Sequence, residues 1–283
     1  MNNFNIKNTS IRWVVALKEE AEIILDHFKL KVVNEKTIFP IYKNEEETHW
    51  LIISGIGRSN AAASTAYLYS YSEAPKYTSW INIGIAGSDK GNYGGLYLVD
   101  QISTYKVKQN TYPLTMPKTN LPKMHLFTSD IPLSDYSAHE LIDMEGSAFF
   151  DIASKLTSKE FICLMKVISD GPQNDIKEIT KSKISYLIKK NLVKIIDVVS
   201  YYERLSKEEL QIAEKPKLFY EIKSKWHFSK TQSYRLETLL RRIEIFCNKK
   251  DIEKTIKNCK TSNSVINVLN AKIKKNLVNW SKF

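Results

Sequence analysis

Three acids stand where an apolar run hands over to a turn or a helix: Glu19 and Glu20 follow IRWVVAL, and Asp170 ends FICLMKVISD just ahead of Gly171 and Pro172. A carboxylate so placed can take a proton from water or hand one to a leaving group, the work of a general base or acid. Two glycine pairs sit in similar positions: Gly55-Ile56-Gly57 within and after WLIISGI, and Gly84-Ile85-Ala86-Gly87 at the end of WINIGI. Glycine lets the main chain approach a ligand closely. Each feature also has a purely structural reading. First-turn acids complement a helix dipole, and Asp-Gly-Pro is ordinary turn chemistry. GxGxxG, HExxH, HxH and CxxC are all absent, so neither a dinucleotide cofactor nor a metal is expected.

The elements that must position these acids follow from the apolar runs. Residues 11–17, 50–56, 80–85 and 161–169 are short, β-branched and apolar, as buried strands are. Residues 96–107 suggest a longer strand and 123–128 a short one. Apolar periodicity suggests helices over 19–30, over AAASTAYLYSY after Ser59-Asn60, over 144–156, and over 176 to about 204. Strands alternating with helices predict a three-layer α/β/α domain with a mainly parallel mixed sheet over residues 1–205. Ligands of such sheets sit at the carboxyl ends of the strands. Glu19-Glu20, Gly55 and Gly57, Gly84 and Gly87, and Asp170 fall there, and this convergence is the strongest internal sign of a site.

Composition changes after residue 205. Residues 1–205 carry 24 Lys/Arg against 23 Asp/Glu; residues 206–283 carry 18 against 8. The chain's formal charge of +11 therefore belongs almost wholly to the tail. No glycine follows Gly171. SKEELQIAEKP, FSKTQSYRLETLLRRIEIFCNKK (capped near Ser229) and 265–280 read as helices, so 206–283 is expected to be a basic α-helical extension. Three scattered cysteines fit a reducing cytoplasm better than a disulfide framework. The start, MNNFNIKNTS, lacks a basic-then-apolar signal pattern, and no run of 18 apolar residues suggests a membrane span. A cytoplasmic location follows as the expectation.

VALKEEAEIILDHF, SGIGRSNAAAST, INIGIAGS, DMEGSAFFDIA and VISD occur in the order found in the nucleoside phosphorylase/nucleosidase superfamily. The pattern resembles most closely that of the methylthioadenosine/S-adenosylhomocysteine nucleosidases, over roughly residues 10–205. The resemblance implies hydrolysis of the N-glycosidic bond of an adenine-type purine nucleoside by water, in a homo-oligomer whose neighbouring subunits often complete the site. Glu20 would orient the water, Met144 would pack on sugar and base, and Glu145 would accept hydrogen bonds from the ribose hydroxyls. Asp170, oriented by Ser169, would protonate N7, which makes the purine a better leaving group. The backbone of Ile56-Gly57 and Ile85-Ala86-Gly87 would wall the sugar. Phosphorolysis is the rival chemistry of the same fold. Its users carry Gly-Asp-Pro-x-Arg and further arginines, whereas residues 1–205 hold only Arg12, Arg58 and Arg204.

The chain departs from the family pattern in four places. The segment from Ser88 to Ile142 is shorter than in those nucleosidases; it offers Phe127, Pro132 and Tyr136 as candidate pocket residues, and none of them aligns with the aromatic that stacks on adenine. Lys166, expected among the substrate-binding residues, stands where they have arginine, and Ile85 where they have serine. The tail is unmatched. Its Leu236, Leu239, Leu240, Ile243 and Phe246 stripe suggests a packing role; a nucleic-acid-binding face is the alternative, since Lys and Arg interleave with Trp226, His227, Phe228 and Tyr234. A non-catalytic binder on the same fold is the reading outside enzymology.

Overall fold

The computed structural model describes residues 10–33, 36–105, 107–113, 117–133, 135–213 and 215–275. It divides into two compact units, Met1–Ile212 and Ala213–Phe283.

The first unit is mixed α/β. Strand β1 (Ile11–Val15) is buried throughout and pairs in parallel with β4 (His49–Ile53) on one side and β5 (Ser79–Gly87) on the other. Alternation along β1 explains the layering. Trp13 and Val15 enter one core with Ala21 and Ile24 of α1 (Lys18–His27), Leu187 and Ile188 of α4 (Lys181–Lys190) and Ile195 of α5 (Leu192–Ala213). Val14 enters the other, with Leu68 of α2 (Arg58–Tyr71) and Phe149, Phe150 and Ala153 of α3 (Gly146–Leu156). Successive side chains of a strand point to opposite faces, so one apolar run supplies two cores. Helices thus cover both faces of the sheet, as the alternating pattern predicts.

The rest of the sheet curls. β10 (Ile162–Asp170) pairs in parallel with β5 and antiparallel with β6 (Leu96–Thr104). β6 pairs in parallel with β8 (Lys123–Thr128), β8 in parallel with β9 (Leu141–Asp143), and β9 returns to β5 at Gly87. The ring β5–β10–β6–β8–β9 brings the ends of three site-bearing strands together. A hairpin of β2 (Lys31–Val32) and β3 (Ile41–Lys43) extends the far edge beside β4.

Several elements differ from the periodic reading. The long strand expected over 96–107 is two antiparallel strands, β6 and β7 (Val107–Thr111). The helix expected from Met144 starts at Gly146, because residues 141–143 pair as β9 and Asp143 Oδ2 accepts the Gly146 N–H at 2.8 Å. The helix expected over 176–204 is a 3₁₀ turn, then α4, then α5. Thr180 caps α4, and buried Asn191 ends it by donating to the carbonyls of Leu187 and Gly94, both at 2.9 Å.

The second unit is helical: α6 (Phe219–Lys225), α7 (Lys230–Ile243), α8 (Lys249–Ile256) and α9 (Ser262–Lys275). The single helix expected over 228–250 is broken after Ile243, and α6 had no counterpart in the sequence reading. Ser229 caps α7 as anticipated, with Gln232 completing a reciprocal box. Asn248 caps α8. Residues 276–280, expected to continue the last helix, lie outside the described residues. No helix among the described residues is long and apolar enough to cross a membrane.

Candidate active site

The carboxyl ends of β1, β5, β9 and β10 surround a cavity of ≈ 150 Å³. Glu20, Ile56, Ile85, Ala86, Gly87, Met144, Glu145 and Asp170, all singled out from the sequence, line it. Gly57, Ser169 and Lys166 do not. Each is instead tied to, or lies beside, a residue that does.

Glu20 sits in the first turn of α1 and is buried. Its Oε2 accepts the Leu17 N–H at 2.9 Å, and its Oε1 accepts the Ile85 N–H at 2.8 Å. The first contact is a local helix cap, whereas the second pins the carboxylate across the end of β5. Burial raises the Glu20 pKa, while the backbone N–H groups and the charge of Lys166 pull it back. Glu19, its equal in sequence, does not line the cavity and pairs with Lys181 at 3.1 Å. The helix-dipole reading therefore suits Glu19, and the cavity belongs to Glu20.

Glu145 precedes α3, and its Oε1 accepts the Gly57 N–H at 2.6 Å. Gly57 has φ of 103°, a conformation open to glycine, and this turn aims its N–H at the acid. Burial, with the nearby charge of Asp143, raises Glu145 to about 7.

Asp170 ends β10 and is buried. Its two oxygens accept hydroxyl groups from opposite sides: Ser169 Oγ at 2.5 Å on Oδ1, and Tyr136 Oη at 2.8 Å on Oδ2. Burial, then this bond, raises the Tyr136 pKa, so the phenol keeps its proton. Of the three residues considered for the base wall, Pro132 and Tyr136 line the cavity. Phe127 instead stacks on His139, with centroids 3.7 Å apart.

Lys166 was expected to touch substrate. Its ammonium binds Asp143 Oδ2 at 2.7 Å, with both side chains almost wholly buried, behind the cavity wall. Burial works to lower its pKa, but Asp143, Glu145 and Glu20 outweigh it and the net shift is upward. Asp143 also accepts from Thr128 Oγ1 at 2.7 Å and lines the cavity. Sequence reasoning assigned Asp143 no role. A lysine inside an apolar strand was the available signal, since a buried cation requires a buried anion.

Four carboxylates thus line one cavity, with no Lys or Arg among the lining residues. Among the described residues, no group of three or more His, Cys, Asp or Glu is arranged to hold a metal. The arrangement can stabilise developing positive charge, accept hydrogen bonds from hydroxyls and move protons at two separate carboxyl groups.

No family model matches the chain, and no curated protein is matched. Solved structures do match. The apo 5′-methylthioadenosine nucleosidase of Arabidopsis thaliana is 17% identical, with 70% of this chain and 98% of that chain covered and a TM-score of 0.59. The 5′-methylthioadenosine/S-adenosyl homocysteine nucleosidase of Campylobacter jejuni is 15% identical, covering 68% and 99%, TM-score 0.55. A futalosine hydrolase mutant of Helicobacter pylori is 14% identical, covering 68% and 99%, TM-score 0.51. The chain therefore shares the fold of these solved nucleosidase structures.

Proposed function

We propose that the chain is a purine nucleosidase that hydrolyses the N-glycosidic bond of an adenine-type nucleoside. The observation that carries this reading is the convergence of Glu20, Glu145 and Asp170 on one cavity at the carboxyl ends of the strands. The names of the solved structures that share the fold support it.

The C1′–N bond breaks with its electron pair leaving on the base. Asp170, in its protonated form, gives its proton to N7 as that charge develops, so a neutral purine departs. The sugar becomes oxocarbenium-like and is stabilised by the ionised acids around it. Water adds at C1′ and loses a proton to Glu20, whose burial makes it a stronger base than an exposed glutamate. Glu145, held by the Gly57 N–H, accepts hydrogen bonds from the ribose hydroxyls, and Met144 packs on the sugar.

Water is favoured over phosphate by the charge of the site. A phosphate dianion would meet four carboxylates and no lining cation. Arg12 is spent on Ser72, Ser10 and backbone carbonyls, and Arg58 on Asp130. The rim is apolar: Ile56, Ile131 and Ile176 line the cavity yet are exposed. Such a rim suits an uncharged sugar substituent better than a phosphorylated one.

The test is incubation of the purified protein with methylthioadenosine, S-adenosylhomocysteine, adenosine and inosine, with and without phosphate, followed by chromatography. Free base with free sugar is the expected result, abolished in Asp170→Asn. Sugar phosphate would make the protein a phosphorylase. No release from any substrate would overturn the reading.

A further inference from the structure

The second unit carries most of the chain's excess charge, and its apolar stripe is already used. Leu236, Leu239, Leu240 and Ile243 are buried within the unit's own core, against Phe219, Ile222, Ile252, Val265 and Leu269. The stripe therefore explains how the unit folds, and the excess of cations needs another account.

Four of those cations share one groove. On α8, Ile252 and Ile256 face the core, while Lys250, Glu253, Lys254 and Lys257 follow at i, i+3, i+4 and i+7, one side of the helix. Lys225 ends α6, and Trp226 follows it as the C-cap. All six line one groove of ≈ 600 Å³. Trp226 is half-buried and packs on the unit's core, which holds the indole in place. Among the described residues, none of Lys225, Lys250, Lys254 and Lys257 makes an ion pair. The neighbouring Lys249 does, with Glu221 at 2.6 Å and with the groove's one acid, Glu253, at 3.8 Å. Four unpaired ammonium groups thus surround a fixed aromatic ring.

We propose that this groove binds single-stranded nucleic acid, with the lysines on successive phosphates and a base against the Trp226 indole. Cations along a groove supply sequence-independent affinity by releasing counterions. An aromatic face adds stacking to any unpaired base, which a duplex keeps inside its own stack. The proposal is independent of the nucleosidase reading, since it uses no residue of the cavity.

The experiment is fluorescence anisotropy of a labelled oligothymidylate on the full chain, from 50 to 200 mM salt. Three to four phosphate contacts on a single strand weaken binding roughly 20- to 50-fold over that range. Lys250→Glu/Lys254→Glu should lower affinity at least about tenfold and flatten the salt dependence. Lys230→Glu/Arg235→Glu, the same charge change on exposed positions of α7, should cost less than about threefold. Trp226→Leu should cost roughly tenfold with the salt slope kept. Far-UV circular dichroism checks that each variant folds. Absence of binding at 50 mM salt would overturn the proposal. So would equal losses from both charge reversals, tighter binding of a duplex of equal length, or response only to anionic lipid vesicles.

Discussion

The Tyr136 hydroxyl donates to Asp170 Oδ2 at 2.8 Å while Ser169 donates to Oδ1 at 2.5 Å, so the carboxyl group is held from both sides. The plane of the proposed acid is fixed before any substrate arrives. The tyrosine reaches it because Gly87 has no side chain: a Cβ there would lie 2.4 Å from Tyr136 Cε1 and 2.7 Å from Asp170 Oδ2. Tyr136→Phe keeps the ring and deletes the donor. As Asp170 gives up its proton, the Tyr136 bond becomes one to a charged group, worth about 1.5–3 kcal/mol, so kcat/KM for base release should fall roughly 10- to 100-fold. Turnover equal to the wild type would reduce Tyr136 to a wall of the cavity.

Lys166 and Asp143 form an ion pair at the site, and both side chains are almost wholly buried. Removing one partner of a buried pair leaves an uncompensated charge, at a cost of about 3–5 kcal/mol. Lys166→Met should therefore shift the urea midpoint strongly downward. Adding Asp143→Asn to it should recover much of that loss, because the stranded charge is then gone. Simple additivity of the two substitutions in the denaturation cycle would show that the pair is not energetically coupled.

This pair also marks the limit of what the residues disclosed on their own. The strands were legible because runs such as WVV and WLII are apolar on both faces; Glu20 and Asp170 were legible because each follows or ends such a run, and Glu145 through its place in the DMEG motif. Lys166 was placed by its position in a motif and read as a ligand contact. Its actual partner, Asp143, comes from β9, a three-residue strand too short to show a period. The break at Asn191 and the edge hairpin β2–β3 were hidden for related reasons. A buried side-chain hydrogen bond to Gly94 and pairing between short segments are tertiary facts, and local periodicity carries no trace of them. In the second unit, Ser229 was readable as a cap, whereas the groove around Trp226 needs α6 and α8 brought together.

Gly84 tests the position of Glu20. A Cβ on this residue would lie 2.8 Å from Glu20 Oε1 and 3.5 Å from Lys166 Nζ. Gly84→Ala must push the carboxylate aside, away from the Ile85 N–H that holds it. A displacement of this kind near reacting atoms costs roughly 100-fold in rate. The expected outcome is a loss of that order in kcat, with a circular dichroism spectrum like that of the wild type. A variant with full activity would mean that the exact seat of Glu20 is immaterial, and would remove it as the water-activating group.

Glu145 gives the fold a pH dependence whose sign follows from its surroundings. Its pKa rises from 4.5 to about 7 in the folded protein because burial and the Asp143 charge disfavour its ionised form. Between these values the native state holds a proton that the unfolded chain has released, so stability falls as pH rises. Below about 4.5 both states are protonated and this penalty vanishes; above about 7 it is fully present, on the order of 3 kcal/mol. Glu145→Gln cannot ionise and should lack this contribution. Urea denaturation at pH 5 and pH 8 should therefore show the variant gaining stability relative to the wild type at the higher pH. A constant difference between the two proteins across that range would mean that Glu145 ionises as freely in the fold as in the open chain. The same carboxylate is proposed to accept the ribose hydroxyls, which needs its charged form. KM for the nucleoside should accordingly improve through pH 7 while stability declines, an opposition that places a cost of the fold at the point where the ligand would relieve it.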